Sequence, residues 1–311
     1  MDRPRIAITV GDPRGIGPEI VAHVLESPPP GADFIVVGPD EMVADLDSAI
    51  AVGGLETQGP GDAVVGLRPV ALEPKRAGEL TGLAVIRGVE MAMRGDVAAI
   101  VTGPAEKRAL HLAGYPFPGH TEWLAQLAGG VDVAMMLATG RLRVVLVTTH
   151  IAFRNILDQL SEERVVRIGE ITQRALIHLF GIEAPRLAVC ALNPHAGEGG
   201  LFGDEEERIL APAARRLGAA GPLPADTVFV RAARGDFDAV LAPYHDVGMT
   251  AIKVAGFGKG VNVTLGLPFV RTAPDHGTAF DIAGKGLANP GSMREAVEMA
   301  VRLARTSRPP S

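Results

Sequence analysis

Apolar runs of strand length alternate with helical stretches along almost the whole chain. IAITV (6–10) passes through GDPRGIGPE into a helical pattern near 16–26, and FIVVG (34–38) is followed by another helix. VAAIVTG (97–103) leads into a helix that begins at PAEKRAL. MMLAT, VVLVTTH, LAVCALN, AVLAPYH and VNVTLG follow, separated by helical segments around 161–180 and 204–218. This alternation predicts an α/β fold: mostly parallel sheets, right-handed crossovers and flanking helices. No internal repeat, low-complexity linker or long charge run breaks the pattern. With two lobes, the chain leaves the first near 105 and returns to it near 255, giving lobes of 1–105 plus 255–311 and of 106–254. SPPPG (27–31) reads as a surface turn, and RTSRPPS at the end of the chain as a disordered tail.

Composition sharpens this picture. Apolar residues make up 47% of the 311 positions but aromatics only 4%, so the core has to be built from Val, Ile, Leu and Ala. That suits buried parallel strands covered on both faces. A net charge of -6 argues against nucleic acid as the main partner. The single Cys190 lies inside a strand-like run, excludes an internal disulfide framework and reads as a buried inert thiol. MDRPRIAITVGD carries no cleavage-site pattern, and no later run reaches membrane-spanning length. The expectation is a soluble cytoplasmic protein that works without nucleic acid or membrane.

Three histidines share one setting. VVLVTTH ends at His150, LAVCALNPH at His195 and DAVLAPYH at His245, each at or just past the end of an apolar run. The carboxyl ends of parallel strands are where such sheets bind ligands, and imidazole is the commonest ligand of a catalytic divalent metal. Three would leave positions open for substrate or water. The alternative is three capped or hydrogen-bonded loop histidines. His23, His111 and His178 fall in helical segments and read as surface or packing residues.

Other candidates surround them. His120 opens a helix in PGHTEWL, where Thr121 either caps that helix or presents a donor to a ligand. Asp246, Lys253, Asn262 and Arg271 follow His245, and converging cations there would bind a substrate phosphate or carboxylate. GDPRGIGPEI (11–20) is either a structural turn or an anion site at a helix start. It matches neither the dinucleotide fingerprint nor the P-loop, because Ile20 stands where a third glycine is needed and no GK[ST] follows. HGTAFDIAGKGLANPGSM (276–293) is a second glycine-punctuated segment, with the last helix beginning near Ser292.

Taken together, GDPRGIGPEI, VTGPAEKRAL, FPGHTEWLA, TTHIAFRNI, LNPHAGEGGLFGDEE, PYHDVGMTAIK and GFGKGVNVTLGLPFVRTAPDHGTAFDIAGKG resemble the 4-hydroxythreonine-4-phosphate dehydrogenase family of vitamin B6 biosynthesis. The resemblance runs nearly end to end. It implies the isocitrate/isopropylmalate dehydrogenase-like fold and a homodimer whose second lobe carries the dimer interface, with the active site in the cleft there. One divalent cation (Zn, Co, Mn or Mg) would be held by His150, His195 and His245 from both subunits. His120, Thr121, Lys253, Asn262 and Arg271 would contact substrate. NAD or NADP would be the oxidant, beside a loop containing Gly277, Asp281, Gly284, Gly286 and Asn289. Two positions depart from the family pattern: Val247 where Gln is usual, and Arg14 where Ala is usual.

The expected reaction is oxidation of 4-phosphooxy-L-threonine to a β-keto acid that loses carbon dioxide to give 3-amino-2-oxopropyl phosphate. Asp246 would act as base or as the partner that orients a ligand histidine, and Lys253 would assist. Relatives of the family oxidise 4-phospho-D-threonate or 4-phospho-D-erythronate, which keeps those acids as alternatives. Two further readings are a non-redox metal-dependent lyase or isomerase and a metal-dependent binding protein without turnover.

Overall fold

The computed structural model of the protein describes residues 3–53 and 66–307. Its elements, in chain order, are β1 (Arg5–Thr9), α1 (Gly17–Glu26), β2 (Asp33–Gly38), α2 (Asp40–Val43), β3 (Ala49–Ala51), α3 (Pro74–Met93), β4 (Ala99–Thr102), α4 (Lys107–Leu112) and α5 (His120–Leu127). Next come β5 (Ala134–Thr139), β6 (Leu142–Leu146), α6 (Ile156–Gln159), α7 (Glu162–His178), β7 (Leu187–Cys190), α8 (Ala211–Leu217), β8 (Ala220–Leu223), α9 (Ala225–Arg234), β9 (Ala239–Ala242) and α10 (His245–Gly256). β10 (Val261–Leu265), β11 (Val270–Pro274) and α11 (Gly291–Thr306) complete the chain.

Two compact units result, Met1–Val131 with Leu267–Arg305 and Asp132–Gly266 with Thr306–Ser311. The crossings fall at 131/132 and 266/267, later in the chain than the 105 and 255 expected from sequence. The reason is packing: α4 and α5 follow β4 but lie against α3, within the first unit. That contact depends on two glycines one turn apart on α3. A Cβ on Gly78 would sit 2.0 Å from the Ala109 carbonyl oxygen, and one on Gly82 would sit 2.1 Å from the Tyr115 ring.

In the first unit the strands run β3-β2-β1-β4-β11, with every pair parallel. β1 and β4 are apolar and buried almost from end to end, as strands covered on both faces must be. In the second unit the order is β10-β5-β6-β9-β7-β8. Here β6, β9, β7 and β8 pair in parallel, whereas β10–β5 and β5–β6 are antiparallel. The β5–β6 hairpin closes through Gly140 (φ 55°) and Arg141, a two-residue link of the sort that antiparallel pairs use. The core of this unit is aliphatic, with Leu137, Val144, Leu146, Ala188, Val240 and Ile252 among its buried members.

His23, His111 and His178 lie in α1, α4 and α7, as the periodicity predicts. Arg305 and Thr306 of the expected tail close α11, and the rest of that tail from 308 onward lies outside the described residues. No helix among the described residues is long and apolar enough to cross a membrane.

Candidate active site

The strand order of the second unit explains why three histidines share one setting. β6, β9 and β7 are consecutive parallel neighbours, and His150, His245 and His195 follow their respective carboxyl ends. His150 and His245 come closest, with ring centroids 5.5 Å apart and planes inclined by 45°. His245 is the first residue of α10, and its Nδ1 donates to Asp246 Oδ1 at 2.8 Å. A carboxylate only accepts, so this bond places the ring proton on Nδ1 and leaves Nε2 with its lone pair.

His195 sits in a less regular setting. It begins five consecutive residues with left-handed backbone, His195 (φ 52°), Ala196 (57°), Gly197 (77°), Glu198 (44°) and Gly199 (68°). Non-glycine residues there cost about 1–2 kcal/mol each, so the turn needs support from outside itself. Its ring lies 6.5 Å from that of Phe202. No group of three His, Cys, Asp or Glu side chains among the described residues is close enough to hold a metal within one chain. The donor chemistry of the His150–His245 pair, with one tautomer fixed by Asp246, nonetheless fits two ligands of a divalent cation.

Lys253 stands on α10 seven residues after Asp246, two helical turns along the same face. Asn262 is in β10, and its Oδ1 is enclosed without a hydrogen-bond partner among the described residues. Val247 packs with Met249 against the aliphatic core of the second unit. It also lines a groove of about 810 Å³ with Phe229, Val230, Tyr244, Ala251 and Val254.

In the first unit Arg271 lies mid-strand in β11 and is 2% exposed. Its Nε and Nη2 donate to Thr102 Oγ1 at 3.2 and 2.6 Å. Burial lowers its pKa to about 10, which still leaves it charged at neutral pH. His120 opens α5 with its Nε2 sealed from solvent and unpartnered among the described residues. Burial first, then the charges of Arg271 and Lys107, push its pKa down to about 3, so the ring is neutral. Trp123 lies one turn away at 6.0 Å between centroids and is itself packed by Tyr115 and Phe117. Thr121 is buried inside the first turn; the N-cap is Gly119, with no side-chain capping bond, so the capping alternative is not what the residue does.

The two glycine-rich segments of the first unit interlock. Ile16 N donates to Thr278 O at 2.9 Å, and a Cβ on Gly15 would come within 2.7 Å of that same oxygen. Gly284 N (φ 74°) donates to Glu19 Oε2 at 2.9 Å. Gly286 is likewise left-handed (φ 68°), and nothing lies within 4 Å of where a Cβ would stand on Gly277 or Gly286. The loop thus offers bare backbone to a ligand, the property a dinucleotide cradle needs. Asp281 lies in this loop, and Asn289 Oδ1 accepts from Gly291 N at 2.8 Å where α11 begins.

Sequence reasoning missed two polar clusters. Arg14 donates to Asp12 Oδ1 and Oδ2 at 3.0 and 2.8 Å and to Glu106 Oε2 at 2.6 Å, and lies 4.9 Å over the Phe280 ring. Its hydrogen bond to Asp12 raises its pKa above the ordinary value. Glu206, 5% exposed, accepts from the backbone N–H groups of Leu192 and Asn193 at 2.8 and 2.7 Å. The acidic run 204–207 is the one sequence signal near the second cluster. Cys190 is buried, and desolvation pushes its thiol pKa up to about 12, so it is no nucleophile.

Residues 55–300 match the family model for the pyridoxal phosphate biosynthetic protein PdxA. The chain is 44% identical to a D-threonate 4-phosphate dehydrogenase of Salmonella typhimurium, over 98% of this chain and all of that one. It is also 44% identical to a 4-hydroxythreonine-4-phosphate dehydrogenase of Beijerinckia indica subsp. indica, covering 97% and 96% of the two chains. Among solved structures, a 4-hydroxythreonine-4-phosphate dehydrogenase from Klebsiella pneumoniae superposes with a TM-score of 0.81 at 42% identity, over 97% and 98% of the chains. A β-decarboxylating dehydrogenase from Thermococcus kodakarensis (TM-score 0.52, 14% identity, 98% and 84% covered) shares the fold alone. With most of its length matched by the family model, and relatives this similar from end to end, the chain belongs to the PdxA family of pyridoxal phosphate biosynthetic proteins.

Proposed function

We propose that the protein is a metal-dependent, NAD(P)-linked dehydrogenase that oxidises 4-phosphooxy-L-threonine, with loss of carbon dioxide, to 3-amino-2-oxopropyl phosphate. The observation that carries this reading is the facing His150–His245 pair at the ends of parallel neighbours, with Asp246 fixing one ring. The names of the 4-hydroxythreonine-4-phosphate dehydrogenase relatives support the substrate. The name of the Salmonella relative keeps 4-phospho-D-threonate as the second reading.

A divalent cation on these imidazoles, with His195 as the third donor, would supply the charge that acidifies the substrate hydroxyl, and the nicotinamide would accept the hydride. Asp246 holds the His245 ring by its Nδ1 proton, which makes it an orienting carboxylate. Arg271, anchored on Thr102, presents fixed positive charge to an anionic end of the substrate, and Lys253 a second. Neutral His120 exchanges a hydrogen bond through Nε2 without adding charge, and Thr121 and Asn262 add polar contacts. Gly277, Asp281, Gly284, Gly286 and Asn289 belong to the loop assigned to the dinucleotide.

The protein is further proposed to be a cytoplasmic homodimer. Val254 and Val230, 83% and 51% exposed beside the α9–α10 groove, support a buried face between copies. The deciding experiment incubates the protein with NAD or NADP, Zn, Co, Mn or Mg, and each phosphorylated acid, and follows reduced nicotinamide. Turnover with 4-phosphooxy-L-threonine that chelation abolishes is the expected result. Turnover of 4-phospho-D-threonate alone would move the assignment to the second reading, and undiminished turnover after metal stripping would sink the metal role.

A further inference from the structure

We propose that Glu206 is the positioning residue for His195. It rests on the reading of His195 as a metal ligand. The left-handed run from His195 to Gly199 is a conformation that L-residues do not hold by themselves, and the His195 side chain is exposed. The stretch that leads into it is held chiefly by the buried Glu206 carboxylate, while Glu205 Oε2 accepts a further bond from Asn193 Nδ2 at 2.7 Å. Glu206 Oε1 accepts from Leu192 N at 2.8 Å and Asn193 N at 2.7 Å, and Oε2 accepts from Asn193 Nδ2 at 2.9 Å.

The same oxygen reaches the turn itself. Oε2 lies 3.0 Å from where a Cβ on Gly197 would stand, so carboxylate and turn are in contact. Glu206 begins the π-helical turn Glu206–Leu210, which runs into α8, and is itself buried. A π turn inside an otherwise α-helical stretch is a feature often kept for function. The arrangement sets the backbone direction of His195 through three hydrogen bonds, none of them made to the imidazole.

The test is cobalt(II) binding to the full-length protein, followed by titration and by the visible spectrum of the bound ion. Four proteins are compared: the unaltered chain, Glu206→Gln, His195→Ala and the double variant. Glu206→Gln is expected to weaken cobalt binding about 10- to 100-fold, the usual effect of removing a residue that supports a ligand. In the His195→Ala background the same change should matter less than about twofold, because coupled residues are not additive. Glu206→Asp, which keeps the charge but shortens the reach to Leu192 N and Asn193 N, should reproduce the loss and likewise matter little in the His195→Ala background. This second route keeps the test meaningful if Glu206→Gln folds poorly by circular dichroism.

Unchanged cobalt affinity in Glu206→Gln, alongside a clear loss in His195→Ala, would overturn the inference and leave the ligand reading intact. An equal loss in both backgrounds would also overturn it, since the effect would not run through His195. No loss in His195→Ala would instead remove the ligand reading on which the inference stands.

Discussion

At the scale of single residues, the first unit places a neutral imidazole within the field of a buried guanidinium. Folding depresses the pKa of His120 from 6.5 to about 3. Above 6.5 the ring is neutral in both states and costs nothing. As pH falls from 6.5 towards 3, the unfolded chain takes up a proton that the folded chain refuses, so stability is lost across that window. A His120→Asn variant should therefore lose thermal stability less steeply between pH 6.5 and 4 than the unaltered protein, measured as Tm against pH. Parallel curves would show that the ring is not buried neutral. Arg14 makes a different prediction. Its removal by Arg14→Ala takes the ion pair from Asp12, 1% exposed, and leaves that carboxylate the backbone N–H of residue 14 as its hydrogen-bond donor, for which a loss of about 3 kcal/mol is expected in a urea titration. Arg14→Lys should recover only part of this, because a lysine cannot span both Asp12 oxygens and stack on Phe280. The strand-end histidines were legible from sequence because each apolar run stops just before its histidine. Arg14 was legible only as a departure from the family pattern; its ion pairs were not, since Glu106, one of its partners, stands 92 residues away.

At the scale of elements, the glycines of α3 show where sequence and structure part. Gly78 and Gly82 weaken the helical pattern and each costs about 1 kcal/mol relative to alanine. Their return is a close approach that no other residue permits: the α4 backbone at one position and the Tyr115 ring at the other. Gly78→Ala should thus gain propensity yet destabilise the protein by about 1–3 kcal/mol, as overpacking does. Equal or greater stability in urea would mean that α4 shifts freely. The antiparallel β5–β6 hairpin was hidden in a similar way. Its two apolar runs look like members of a βαβ series, and only the two residues between them show that no helix can intervene. The five left-handed residues from His195 and the π turn at Glu206 break the ordinary helical and strand periodicities, so a reading of those periodicities does not find them.

At the scale of the whole molecule, alternation of runs sufficed for an α/β fold, but not for where the chain changes units. Periodicity reports that α4 and α5 are helical and is silent about what they pack on. The exposed apolar face of α9 and α10 bears on assembly. Val254→Glu places a charge in its centre and should weaken self-association by about 10-fold or more, read by light scattering across protein concentrations. A variant that stays dimeric at high dilution would assign the subunit contact to another face.

The pairing of β5 with β10 has one more consequence. Ala134 and Leu265 are direct partners across that antiparallel ladder, so the second unit begins and ends at the same place. A segment with adjoining ends can be cut out of a gene and moved as a cassette, because its own ladder holds the stumps together. Residues 132–266, produced as an independent polypeptide, should unfold in a single cooperative transition and keep the near-ultraviolet signal of Tyr244. Evolution could then exchange the part that carries the strand-end histidines while leaving the loop assigned to the dinucleotide untouched, and new chemistry would arise by transplantation instead of by point change.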